Sequence, residues 1–295
     1  MNLPKNPEIG IIGGSGVYDL PELTKREWRR VASSFGEPSD DLLFGEVFGV
    51  RVVFLPRHGR GHKIPPSQIN YRANIDALKR CGVQEVISIS AVGSLLDECP
   101  PGMFVLVDQY IDRTISRENS FFGPGCVAHV SMAEPVCHGL KALIYDAAIR
   151  LNIPCRPSGT YLAMEGPQFS TFAESNLYRS WGAHVIGMTN MPEARLAREA
   201  ELCYASICMV TDYDCWHPKH ENVSVEEVVR VMSENSRVVQ KLIADVLPKI
   251  PSAPDRLSWN GRRSLENAVI TAPEARDSDL CLQLDAIAGR VLRPK

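Results

Sequence analysis

The apolar residues of this chain gather in short, β-branched runs, and between the runs they recur every three or four positions. The runs "EIGIIG", "VRVVFLP", "VQEVISIS", "GMFVLVDQYIDRT", "SGTYLA", "AHVIGM" and "CYASICMVTDYD" predict strands. The stretches "YRANIDALKR", "VCHGLKALIYDAAIRLN", "TFAESNLYRSW", "PEARLAREAE" and "SVEEVVRVMSENSRVVQKLIADVL" have the spacing of helices with one buried face. Gly182 is placed to close the third of these and Pro192 to open the fourth. Strand and helix in alternation predict an α/β domain. "FGEVFGVRVVFLPRHG" reads as an antiparallel pair turning near Gly49, so the sheet is expected to be mixed.

Near Pro251 the pattern changes. "PSAPDRLSWNGRRSLENAVITAPEARDSD" is rich in proline, serine and charge, and a short amphipathic segment, "LCLQLDAIAGRVL", follows it. This divides the chain into a main domain, residues 1–250, and a C-terminal extension, residues 251–295, expected to pack on that domain as loop and helix.

The 295 residues can bury a large core, and a formal net charge of −3 gives neither a basic footprint for nucleic acid nor a polybasic patch for a membrane surface. No apolar stretch reaches the length of a bilayer span, and the N-terminus lacks the order of a signal peptide, so a cytoplasmic enzyme or binding protein is expected. Nine cysteines, with no C-x-x-C pair, are expected to be reduced and mostly buried. His217 and His220 flank Pro218, which favours a solvated loop over a metal site; no metal is expected.

The chemistry concentrates where the predicted strands end, the place where α/β sheets bind ligands. Gly14-Ser15-Gly16 is either a tight turn or a cradle in which backbone N–H groups and the Ser15 hydroxyl meet an anion. It lacks the third glycine of a dinucleotide fingerprint and the lysine of a P-loop. After "VVFL", Arg57 and His58 combine a guanidinium and an imidazole suited to a divalent oxyanion, and with Arg60, His62 and Lys63 they make either an anion site, the favoured reading, or a solvated cationic loop. Ser90-Ala91-Val92-Gly93 ends its strand as a small-residue turn, with or without a ligand beside it. Met188 by default packs in the core, and Thr189 caps the following helix. In "TDYDCW", strand alternation sets Asp212 and Asp214 on one face and Tyr213 on the other. Two neighbouring acids raise each other's pKa, and the next predicted helix, near Ser224, is too distant to be capped, so the pair points to function.

In order from about Ile9 to about Val246, the segments "GIIGGSG", "PRHGRGH", "INYRANIDALK", "SAVGSL", "MEGPQFS", "AESNLYRSWGAHVIGMTNMPEA" and "YASICMVTDYDCWH" resemble the trimeric purine nucleoside phosphorylase family, and within it the branch that acts on 5′-methylthioadenosine. The resemblance implies an α/β fold with a mixed, partly barrel-like central sheet flanked by helices, and a homotrimer with active sites near subunit interfaces. The implied reaction is phosphorolysis: inorganic phosphate, a co-substrate, attacks C1′ of the nucleoside and releases adenine and 5-methylthioribose 1-phosphate. No metal or organic cofactor is implied.

By position, the resemblance gives phosphate contacts to Ser15, Arg57, His58, Ser90, Ala91 and Thr189. It puts Met188 under the ribose, Phe169 against the base, Ser170 and Val225 at positions linked to specificity, and His129 toward the neighbouring subunit's methylthio pocket. Asp212, Tyr213 and Asp214 fall on the base-binding segment, with Asp212 as the acid at N7 and Asp214 on the 6-amino group, keeping Asp212 protonated. Relatives selective for 6-oxopurines usually carry asparagine at the first of these positions, so "TDYD" favours adenine over the alternative, a phosphorylase of 5′-methylthioinosine or inosine. Gln168 stands where many relatives have arginine, and Gly187 replaces a polar residue. A nucleotide-binding protein without turnover would need neither the acid nor the whole phosphate set.

Overall fold

The computed structural model describes residues 8–14, 16–218 and 225–292. Eleven strands among them form one mixed sheet: β1 (Glu8–Gly13), β2 (Leu23–Arg29), β3 (Leu42–Val47), β4 (Val50–Pro56), β5 (Val83–Ser94), β6 (Phe104–Val107), β7 (Gln109–Asp112), β8 (Cys155–Arg156), β9 (Thr160–Ala163), β10 (Val185–Gly187) and β11 (Cys203–Asp212). The helices are α1 (Tyr71–Arg80), α2 (His138–Arg150), α3 (Phe172–Ser180), α4 (Asn190–Glu199), α5 (Val225–Val246), α6 (Ser278–Gln283) and α7 (Asp285–Leu292).

The sheet runs β2-β3-β4-β1-β5-β10-β9-β7, and it branches at β5. Over its first half β5 lies parallel to β1 on one side and β11 on the other; at Gly93 and Ser94 it turns its edge to β10, antiparallel. The central strands are apolar on both faces because both faces are covered. Val53 and Leu55 of β4 and Tyr204 and Cys208 of β11 join one core layer with α1 and α4, while Val52, Phe54, Ala205 and Ile207 join the other with α2 and α5.

The hairpin at Gly49 forms as expected, with Val47 paired to Val50. Thr171 and Glu174 form a reciprocal capping box at the start of α3, and Gly182, at φ +78°, follows its end. Three expectations change. "GMFVLVDQYIDRT" is two strands, not one: the chain changes partners at Asp108, so β6 lies between β11 and β8 whereas β7 lies beside β9. The run Ser90–Gly93 is not a turn, because β5 continues through Ser94. Thr189 makes no side-chain cap on α4; Met191 is extended and its peptide bond to Pro192 is cis, so the helix proper starts after an irregular entry.

Residues beyond Pro251 pack on the first core layer through Leu265, Leu284, Ile287 and Ala288. Arg256 and Arg262 both reach the fully buried carboxylate of Glu85 at the start of β5, and Arg290 forms a two-pronged pair with Glu201. Among the described residues no helix is long and apolar enough to cross a membrane.

Candidate active site

Asp212 is the last residue of β11, and its carboxylate lies over Gly93 of β5. A Cβ on Gly93 would sit 2.8 Å from Asp212 Oδ1, so the glycine is what admits the acid to this position. A bulge between Val210 and Asp212 makes room for the same approach. Thr211 donates its hydroxyl to Asp212 Oδ2 at 2.7 Å, and the Asp214 N–H donates to Asp212 Oδ1 at 2.7 Å.

The two acids are brought together, but not by strand alternation. The strand stops at Asp212, and Asp214 sits in the following turn at φ +52°. Burial pushes the Asp212 pKa up; the two donors oppose the rise, and the charge of Asp214 adds only the least of the effects. The expectation that repulsion by Asp214 holds the proton is therefore corrected: desolvation does most of it. Burial also raises Asp214, against the nearby hydroxyls of Ser175 and Ser170. Its Oδ2 is buried and lacks a well-formed hydrogen bond among the described residues.

Two hydroxyls meet on the other side of β5. Ser90 Oγ is 3.4 Å from Thr189 Oγ1 and 3.4 Å from the Tyr161 hydroxyl, which also receives the Thr189 N–H at 3.3 Å. Ala91, half-buried, follows Ser90 in the strand. Ser15 lies outside the described residues; Gly13, the last residue of β1, adjoins Arg57, whose main-chain N–H donates to Gly13 O.

Arg57 differs from the open cationic fork that its sequence position suggests. Its guanidinium is buried against Glu193, with Nε on Oε2 at 2.7 Å and Nη2 on Oε1 at 3.0 Å, and it also donates to Ser88 Oγ and Ile89 O. Burial alone would lower the arginine's pKa; the Glu193 carboxylate more than reverses this. Four of the five N–H donors are used, leaving one on Nη1 for an anion. His58, unlike Arg57, is not a cation near neutral pH: burial lowers its pKa to about 4. Its Nδ1 lies 2.9 Å from Ile64 O, which makes Nδ1 the protonated nitrogen and leaves Nε2 as an acceptor in the neutral ring.

Met188 lies over Gly166, with Sδ 2.5 Å from where a Cβ would stand. Ser170 O accepts the Cys215 thiol beside Asp214, so the "EGPQFS" loop closes on the acid turn, with Phe169 half exposed next to it. Tyr213 is spent on packing: its ring joins Leu95, Leu162, Tyr178 and Ile186, and its hydroxyl reaches Asp97 O, so its side chain serves the turn and not a base. Val225 is the exposed first residue of α5, and His129 is exposed where its segment pairs with Ala268; neither is brought to the acids within the chain. Sequence reasoning missed Glu193, Tyr161 and Ser175. Only Glu193 had a signal, a carboxylate just after Pro192 in "NMPEA".

A buried acid pair at one strand end, with hydroxyls and an arginine across the neighbouring strand, can donate a proton to one part of a ligand and hold an anion at another. Residues 8–248 match the model of the phosphorylase superfamily. The S-methyl-5'-thioadenosine phosphorylase of Rhodospirillum rubrum is 57% identical over 288 residues, covering 98% of both chains. The crystal structure of a methylthioadenosine phosphorylase from an antarctic soil metagenomic library superposes with a TM-score of 0.90 at 44% identity, over 96% of this chain and 99% of that one. A mutant adenosine/methylthioadenosine phosphorylase of Schistosoma mansoni, solved in complex with methylthioadenosine, gives 0.83 at 37% identity, over 93% and 100%. The chain belongs to the phosphorylase superfamily and, within it, to the family of the methylthioadenosine phosphorylases.

Proposed function

We infer that this protein catalyses phosphorolysis of 5′-methylthioadenosine to adenine and 5-methylthioribose 1-phosphate. The observation that carries the reading is the buried pair, Asp212 with its raised pKa and Asp214 with an unused carboxylate oxygen. As the glycosidic bond lengthens, the sugar gains positive charge, which the phosphate dianion stabilises before its oxygen bonds to C1′. Asp212, protonated, gives its proton to N7 of the departing adenine. The proton that phosphate loses on becoming an ester restores the acid, so the reaction balances without any other co-reactant. It needs no metal and no organic cofactor.

Asp214 accepts from the 6-amino group. A 6-oxopurine presents an acceptor there, and leaving a buried carboxylate unpaired costs about 1–3 kcal/mol. Phosphate binds between Ser90, Thr189 and the remaining Arg57 donor, with the Ser15 hydroxyl as a further contact and His58 Nε2 accepting the phosphate's own proton. The working form is a homotrimer in the cytoplasm, in which His129, exposed in the single chain, reaches a neighbour's methylthio pocket, and Val225 bears on specificity.

Side-by-side assays with methylthioadenosine, adenosine and methylthioinosine test the base assignment. Methylthioadenosine is expected to exceed methylthioinosine about tenfold or more in kcat/KM, the equivalent of the mismatched contact. Faster release of hypoxanthine would reverse the assignment.

A further inference from the structure

The segment after β7 carries an arginine to which no substrate role falls. The Arg117 side chain is 1% exposed, and its guanidinium donates to main-chain carbonyls of two separate site loops. Nη1 reaches the carbonyls of Met188 and Met191, the second at 2.7 Å, and the Tyr71 hydroxyl at 3.1 Å. Nη2 reaches Glu165 O at 2.7 Å and Met164 O at 3.4 Å. One loop carries Met188, and the other leads through Gly166 to Phe169 and Ser170. They touch where Met188 Sδ fills the space beside Gly166.

The countercharge belongs to the same structure. Glu165 Oε1 is 3.6 Å from Arg117 Nε, and Glu165 is itself held by the Ile115 N–H and the Ser116 hydroxyl. A buried cation is tolerated only where its donors are used, and here most are spent on carbonyls that fix one loop against the other.

We propose that Arg117 is a positioning residue that sets the spacing between the sugar side of the pocket, at Met188, and its base side, at Phe169 and Ser170. This rests on the phosphorolysis reading of the site. The phosphate side has anchors of its own: Met188 O, which Arg117 holds, and the Thr189 N–H belong to one peptide, but that N–H is also on Tyr161 and the Thr189 hydroxyl is beside Ser90. Loss of Arg117 therefore frees the carbonyls that space the nucleoside pocket, while Tyr161 and Ser90 keep Thr189 in place.

Arg117→Met, which keeps length and loses every donor, and Arg117→Lys, which keeps three donors, are compared with the native chain, varying each substrate in turn and recording Tm. A displacement of about 1 Å costs about 100-fold. That loss is expected in nucleoside kcat/KM for Arg117→Met, with the phosphate KM within about twofold of native and about a tenfold recovery in Arg117→Lys. An equal rise in both KM values, a lysine variant no better than methionine, or failure of both variants to fold would each overturn the proposal and leave Arg117 as a folding residue. If the native chain shows no phosphorolysis, the proposed function alone falls. The spacing is then read from calorimetric binding of methylthioadenosine and phosphate, where the same split is expected and its absence overturns the proposal.

Discussion

Asp212 is the residue on which the chemistry turns, and its protonation follows from where the backbone puts it. The raised pKa is a product chiefly of burial over Gly93, so the acid is in its donating form below that pKa and is lost as pH rises through it. Nucleoside kcat/KM is accordingly expected to fall with rising pH along a limb that disappears in Asp212→Asn, a variant with kcat reduced by about 10²–10⁴. The linkage has the same sign: a group whose folded pKa is raised stabilises the fold below its unfolded pKa and loses that contribution as pH rises through the folded one. At neutral pH, therefore, Asp212→Asn is expected not to lower Tm, since it removes a carboxyl whose charged form is disfavoured by burial. A marked drop in Tm together with native kcat would contradict both roles. The pair was legible in "TDYD" as two acids with no structural use. Its physics was not, because repulsion can be read from spacing, whereas desolvation depends on the elements that cover the site.

At the scale of elements, the strands easiest to read were those covered on both faces, β1, β4, β5 and β11, whose apolar runs are nearly continuous. The edge strand β2, "LTKREWR", is mostly exposed and has no apolar alternation to betray it. The break between β6 and β7 was hidden for the opposite reason: both pieces are apolar enough to read as one run, and only the change of partner divides them. Arg57 shows the limit most clearly. Its place at the end of β4 was legible, but its partner Glu193 lies 136 residues away on α4, and that pairing turns an open anion fork into a nearly saturated one. The same pair locks α4 to the sheet, with Tyr204 and Ser88 also donating to Glu193. Glu193→Ala leaves a buried guanidinium uncompensated and is expected to cost about 3–5 kcal/mol of unfolding free energy in urea titrations. A loss below about 1 kcal/mol would mean that the pair does not hold α4 in place.

For the molecule as a whole, the functional groups lie at one end of the central parallel strands. The C-terminal extension is anchored at the other end, where Arg256 and Arg262 meet Glu85 and the Gly261 turn lies against Leu202. The extension thus braces the strands from which the acids and hydroxyls project, and none of its described residues contributes a group to the acid pair. The change of composition near Pro251 was legible; what the extension touches was not, since its pairs with Glu85 join residues more than 170 positions apart. The most direct test of the central claim is to follow the native protein with methylthioadenosine and phosphate by 31P NMR while measuring adenine. One inorganic phosphate is expected to disappear, and one sugar 1-phosphate to form, for each adenine released, with no release when phosphate is left out. Adenine released at the same rate without phosphate, or with no phosphate ester formed, would contradict phosphorolysis.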